Sequence, residues 1–131
     1  MHKYMDSVID DVSFIVLDKV SELNNESAEM HHCVRTYAES VADGSTIIFR
    51  IKDLSDGSRA TLGTHIGHDD KAVHFTQLKS LHNSKATVRI KKAVLKFMKT
   101  YNIQVETRHF DYDLEGANVP EKFIYDDIDF F

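Results

Sequence analysis

Three short stretches of β-branched and aromatic residues, evenly spaced and separated by turn chemistry, constrain this chain more than any other feature. Thr46-Ile47-Ile48-Phe49-Arg50-Ile51 is followed by a polar segment, Asp53 to Ser58, whose Asp56-Gly57 suits a hairpin turn. Ala60 to Ile66 returns, Gly67-His68-Asp69-Asp70 turns again, and Ala72-Val73-His74-Phe75-Thr76-Gln77-Leu78 makes a third antiparallel strand. Three such strands form a viable sheet only if other elements cover it.

The flanking periodicity supplies the cover. Val8, Ile9, Val12, Ile15, Val16, Val20 and Leu23 recur at three- and four-residue intervals, which predicts an amphipathic helix ended by Asn24 and Asn25. A second helix is expected from an N-cap at Ser27 through Met30, Val34, Tyr37, Ala38 and Val41, with Gly44 as its stop. A third, capped by Ser84, carries Val88, Ile90, Val94, Leu95, Phe97, Met98 and Tyr101 on one broad face. A short strand from Ile103 to Thr107 follows. The expected fold class is therefore α+β: two N-terminal helices, a mainly antiparallel sheet of three or four strands, one basic C-terminal helix and an acidic aromatic tail.

Length and charge narrow the functional classes. At 131 residues the chain suits one domain, expected over 1–110, with 111–131 as the tail. The single cysteine, Cys33, excludes an internal disulfide and fits a reducing compartment. Charges within Met1–Asp11 interrupt the apolar stretch that a signal peptide requires, and no run is long enough to cross a bilayer. A cytoplasmic protein without membrane attachment is the expectation. The net charge of −5 hides a segregation: Lys85, Arg89, Lys91, Lys92, Lys96 and Lys99 form a run without acids, whereas from Asp111 to Phe131 seven acids face only Lys122.

From Met30 onward the chain reads Met30-His31-His32-Cys33-Val34, then Tyr37-Ala38, Val41, Gly44 and Ile47-Ile48-Phe49-Arg50. Thr61-Leu62 follows in order, then Gln77 and Asn83 six residues apart. Over roughly residues 29–100 this resembles the PcfJ-like proteins of plasmids and phages. The resemblance implies a His-Cys-Val triplet, a tyrosine four residues after the cysteine, and a Thr-Leu that opens a strand. The family usually has a glutamate after that Thr-Leu, where this chain has Gly63, so a catalytic role of such a carboxylate would be lost here while a binding role could persist.

His32, Cys33, Tyr37, Thr61, Gln77 and Asn83 are the candidate cleft, since a helix face and alternate strand positions can present them together. Packing of Cys33 and Tyr37, with His32, Gln77 and Asn83 satisfying backbone groups, is the competing account. A Cys33–His32 nucleophilic dyad is disfavoured, because adjacent helical residues point about 100° apart. His65, His68 and His74 with Asp69 and Asp70 offer metal-ligand types at no diagnostic spacing, and are read as exposed turn residues. No metal and no cofactor is expected.

The run Lys85, Arg89, Lys91, Lys92, Lys96 and Lys99 is a candidate nucleic-acid surface, with a solvated outer face as the alternative. Asp126-Asp127-Ile128-Asp129-Phe130-Phe131 resembles the phenylalanine-ended tip of single-stranded DNA-binding proteins and the short peptides that dock on sliding clamps, and is the candidate partner-binding segment. Three functions follow as expectations. The first is a small accessory protein of a mobile element, engaging nucleic acid or the replication machinery through the basic helix and the tail. The second is an inhibitor of a host-defence complex that imitates phosphates with its acids. The third is an enzyme acting on nucleotides or nucleic acid through the cleft. The partner's identity, the choice between DNA and RNA, and the oligomeric state are left open.

Overall fold

Asp10 and Asp11 both adopt positive φ, 50° and 66°, and this pair of left-handed residues decides the N-terminal architecture. Two consecutive left-handed residues make the two-residue loop that matches the twist of a hairpin. The computed structural model, which describes residues 6–105 and 113–114, accordingly has two strands where the apolar spacing predicts a helix. β1 (Ser7–Ile9) pairs antiparallel with β2 (Val12–Leu17), Ile9 opposite Val12. The correction has a clear cause. Val8, Ile9, Val12, Ile15 and Val16 are all β-branched, and Val12 and Phe14 are buried while Ser13 and Ile15, which alternate with them, are not.

The helices are displaced as well. α1 runs over Val20–Met30, so Asn24 and Asn25 lie inside it and Ser27 is near its end. Its start is held by Glu22, whose Oε1 accepts the N–H groups of Asp18 and Lys19 at 3.1 Å each. Leu23, Glu26, Ser27 and Met30 form its buried face. The spacing is helical, but two of the four are polar, which hides the stripe from a hydrophobic reading. His31 ends α1 in the left-handed conformation, φ 52°. A 3₁₀ turn, Val34–Tyr37, then leads into the short α2 (Ala38–Ala42), and Gly44 has φ 85°. The single second helix expected from Ser27 to Val41 is thus broken at His31.

The central sheet follows the expected order with more strands: β3 (Thr46–Asp53), β4 (Arg59–Ile66) and β5 (Val73–Lys79) extend β1–β2 into a five-stranded antiparallel sheet, β1-β2-β3-β4-β5. Residues 103–105 add one parallel bridge, Gln104 with His74, rather than a full strand. Residues 106 and 107 of the predicted strand lie outside the described residues. After a 3₁₀ turn at Leu81–Asn83, α3 (Val88–Thr100) begins at Thr87, whose Oγ1 accepts the Ile90 N–H, not at Ser84. Ser84 Oγ instead donates to the Leu81 carbonyl.

The sheet is covered on both faces. On one, α3 brings Phe97 against Phe14, rings stacked at 4.3 Å, and edge-on to Phe49 at 5.0 Å, within a core that includes Leu62, Phe75, Leu78 and Ile90. On the other, α1, the 3₁₀ turn and α2 enclose a smaller cluster of Leu17, Leu23, Val34, Val41 and Ile48. Phe75 and Leu78 both enter the larger core although they are three residues apart. The register shift between Gly63 and Thr64 absorbs the difference: Gly63 opposes Gln77, Thr64 opposes Phe75, and Thr76 is the extra residue of a bulge. That bulge turns Gln77 and Lys79 toward the α1 face.

Candidate ligand-binding cleft

On the α1 face, residues from separate segments line one cleft of about 180 Å³. His32, Cys33 and Tyr37 come from the link between α1 and α2, Thr61 and Gly63 from β4, Gln77 and Lys79 from β5, and Asn83 from the 3₁₀ turn after it. Strand alternation places Thr61 and Gly63 on this face, and the bulge at Thr76 brings Gln77 to the same side. Gly63 also has a steric role. A Cβ there would lie 3.0 Å from Thr76 Oγ1 and 3.3 Å from Gln77 Cγ, so a side chain would press both neighbours back by a few tenths of an ångström.

The deepest part is a chain of hydrogen bonds that begins at a buried carboxylate. Glu26 is 1% exposed, and its Oε1 accepts Arg59 while its Oε2 accepts the Thr61 hydroxyl, both at 2.5 Å. Arg59 also donates to Glu29 and, through Nε, to the Ile51 carbonyl. Since the Thr61 proton goes to Glu26, Thr61 Oγ1 must accept from His32 Nε2, 2.9 Å away. That sets the tautomer. His32 Nδ1 keeps its lone pair and accepts the Val34 N–H at 3.3 Å. Burial holds the imidazole below the ordinary histidine range, against a smaller opposing pull from Glu26. A neutral ring with both nitrogens engaged has no free lone pair for proton abstraction. His32 is a positioned wall of the cleft.

The rim is held in an uncommon backbone conformation. Of the seven non-glycine residues with positive φ among those described, His31, His82 and Asn83 lie at or beside the cleft, with φ of 52°, 55° and 60°. The rings of His31 and His82 stack at 4.6 Å, tying the end of α1 to the turn that carries Asn83. Such residues cost of order 1–3 kcal/mol each and concentrate where ligands are held. Tyr37 is 38% exposed, and its hydroxyl lies 3.5 Å from Gln77 Nε2. Two carboxamides, one phenol, one thiol and one ammonium thus line an opening smaller than the roughly 300–1,000 Å³ that encloses a drug-sized ligand.

The other sequence candidates are placed differently. In α3, Lys91 is buried, Arg89 Nε donates to Asp53 at 2.9 Å, and Lys96 pairs with Asp10. Lys85 and Lys99, which flank them, also have partners, and Lys92 is exposed. The helix therefore directs part of its charge into the fold. His65 and His68 are exposed, and His74 Nε2 meets Asp70 Oδ2 at 3.0 Å. Asp69 is exposed, and among the described residues no three of His, Cys, Asp and Glu gather as a metal site. Asp126, Asp127, Ile128, Asp129, Phe130 and Phe131 lie outside the described residues. Asp113 and Leu114, within the acidic segment, are 3% and 1% exposed. Glu26, Arg59, Lys79 and Asp113 were not legible as site residues. The signal for Glu26 was its place four residues before Met30 on a helical face, but only knowledge of α1's limits reveals it.

No helix among the described residues is long and apolar enough to cross a membrane. No curated protein and no solved structure matches the chain. A family model described as PcfJ-like protein matches residues 1–95, which takes in the β1–β2 hairpin, α1 with Glu26, every cleft residue named above and the first part of α3. That match covers most of the 131 residues, further toward the N-terminus than the motifs alone indicate. The chain belongs to the PcfJ-like family.

Proposed function

We propose that this is a nucleic-acid-binding accessory protein of a mobile element, and that it takes one unpaired base or strand end into the cleft between the 3₁₀ turn and β4–β5. The supporting observation is the convergence of Tyr37, Gln77 and Asn83 on one small opening whose back wall, His32, is braced through Thr61 by Glu26. Carboxamides read the hydrogen-bonding edge of a base, and an exposed aromatic ring offers it a stacking surface. Single-strand recognition commonly uses this combination, because an unstacked base presents both its edge and its face. Engagement of both His32 nitrogens favours binding over acid–base catalysis at that residue. Lys92, exposed on α3 across the sheet from the cleft, would add only a long-range, salt-screened attraction to phosphates.

Fluorescence anisotropy with a short labelled single strand and the matching duplex tests the proposal over a series of salt concentrations. The single strand should bind more tightly. Gln77→Ala or Asn83→Ala should each weaken it by about tenfold, the effect of losing one or two hydrogen bonds, with the fold retained. Absence of strand binding at low salt, or binding that ignores both substitutions, would show that the cleft does not perform this role.

A further inference from the structure

Lys79 occupies a particular place in the cleft just described. Among the described lining residues it is the one formal cation, and it stands on β5 two residues beyond Gln77, on the same face. Its Nζ donates to Asp113 Oδ1 at 2.8 Å. Asp113 lies 34 positions further along, in the acidic segment, and its second oxygen accepts the Leu78 N–H at 2.9 Å. One carboxylate therefore binds both the cleft's ammonium and the open edge of β5. The neighbouring Leu114 is buried in the larger core, so these contacts fasten residues 113 and 114 to the body.

We infer that Lys79 is the phosphate contact of the cleft, and that Asp113 is an internal carboxylate competing with the ligand for it. The inference rests on the nucleic-acid reading of the cleft. A base held by Gln77 and Asn83 belongs to a nucleotide, and its phosphate must lie within a few ångströms of the cleft mouth. An ammonium is a point-charge phosphate binder that can exchange one anion for another without rebuilding its geometry. The Lys79 side chain is 21% exposed, so an incoming phosphate can reach it while Asp113, at 5%, remains largely enclosed. Exchange at Lys79 removes one of the two bonds that Asp113 makes, which loosens the segment from the β5 edge. By linkage, the Asp113 contact weakens a phosphate-bearing ligand at Lys79 by the same factor as that ligand weakens the Asp113 contact.

The test compares a short single strand with and without a 5′-phosphate on the full chain. Wild-type protein should prefer the phosphorylated strand, and Lys79→Met should abolish the preference while still binding the unphosphorylated strand. Asp113→Asn keeps an oxygen for the Leu78 N–H but removes the competing charge, and should raise affinity for the phosphorylated strand by about two- to fivefold, as expected for release of one partly exposed ion pair. A second readout needs no variant: the Leu78 amide should exchange with deuterium faster when the phosphorylated strand is bound to wild-type protein. If neither strand binds wild type, the proposed cleft function itself fails. If both bind equally, or if Asp113→Asn leaves the affinity for the phosphorylated strand unchanged and binding of that strand leaves the Leu78 exchange rate unchanged, the cleft reading stands and the Lys79–Asp113 competition is overturned.

Discussion

Replacing Asp53 by asparagine should remove a defined, pH-dependent part of the stability. Asp53 ends β3 fully buried, where its Oδ1 accepts the N–H and Oγ–H of Ser55 at 2.9 and 2.6 Å, and its Oδ2 accepts Arg89 Nε at 2.9 Å. These bonds, the Arg89 guanidinium first, lower its pKa from 3.8 to about 2. At about 1.4 kcal/mol per unit this corresponds to roughly 2.5 kcal/mol, which exposure of Arg89 to solvent reduces to about 1–2 kcal/mol. The folded carboxylate has the lower pKa, so the unfolded chain takes up the proton first as pH falls. The stabilisation is complete above about pH 4 and disappears between about pH 4 and pH 2. Urea denaturation of wild type and Asp53→Asn at pH 7, 4, 3 and 2.5 measures it. The variant should be less stable by about 1–2 kcal/mol at pH 7, with the gap closing toward pH 2.5 and the denaturant slope unchanged. A gap that stays constant with pH, or no gap at pH 7, would refute the assignment. Arg89→Met should likewise flatten the acid limb while leaving the cleft residues in place.

Three further outcomes follow from the packing. Glu26→Ala leaves Arg59 without its buried partner and Thr61 without an acceptor, so it should cost about 3 kcal/mol in denaturant titration, more than Glu29→Ala at the exposed end of the same pair. Phe97→Ala empties the position between Phe14 and Phe49 and should cost about 3–5 kcal/mol by the same measurement. Asp11→Gly, at φ 66°, gives the second turn position the residue that its left-handed conformation favours and leaves the Asp10–Lys96 pair in place, so it should raise thermal stability by up to about 1 kcal/mol, whereas a helical N-terminus would lose stability from the glycine.

The parts of the site readable in advance were those whose residue type and order carry a signature. His32, Cys33, Tyr37, Thr61, Gln77 and Asn83 are scattered over fifty-two positions, yet they meet because helix end and strand alternation place them on one face. Their partners were not readable. Glu26 appears as one more acid in a weakly apolar stretch, and Arg59 as the first residue after a turn. Their pairing depends on the contact between α1 and β4 across 33 positions. The N-terminal segment shows the opposite difficulty. Its apolar residues satisfy both a helical spacing and, through Val12 and Phe14, a strand alternation, so periodicity cannot choose between them.

Residue type and local spacing alone determined an α+β chain with three central antiparallel strands and an amphipathic basic helix, because turn chemistry and apolar period act within a few residues of one another. Tertiary structure decided the rest. The free edge of β3 captured β2 and made a hairpin of an ambiguous segment, the bulge at Thr76 turned Gln77 and Lys79 toward the cleft, and Asp10, Asp53 and Asp113 paired with Lys96, Arg89 and Lys79. Each is a contact between residues remote in sequence, and the free energy that selects it arises only when the two surfaces exclude water together.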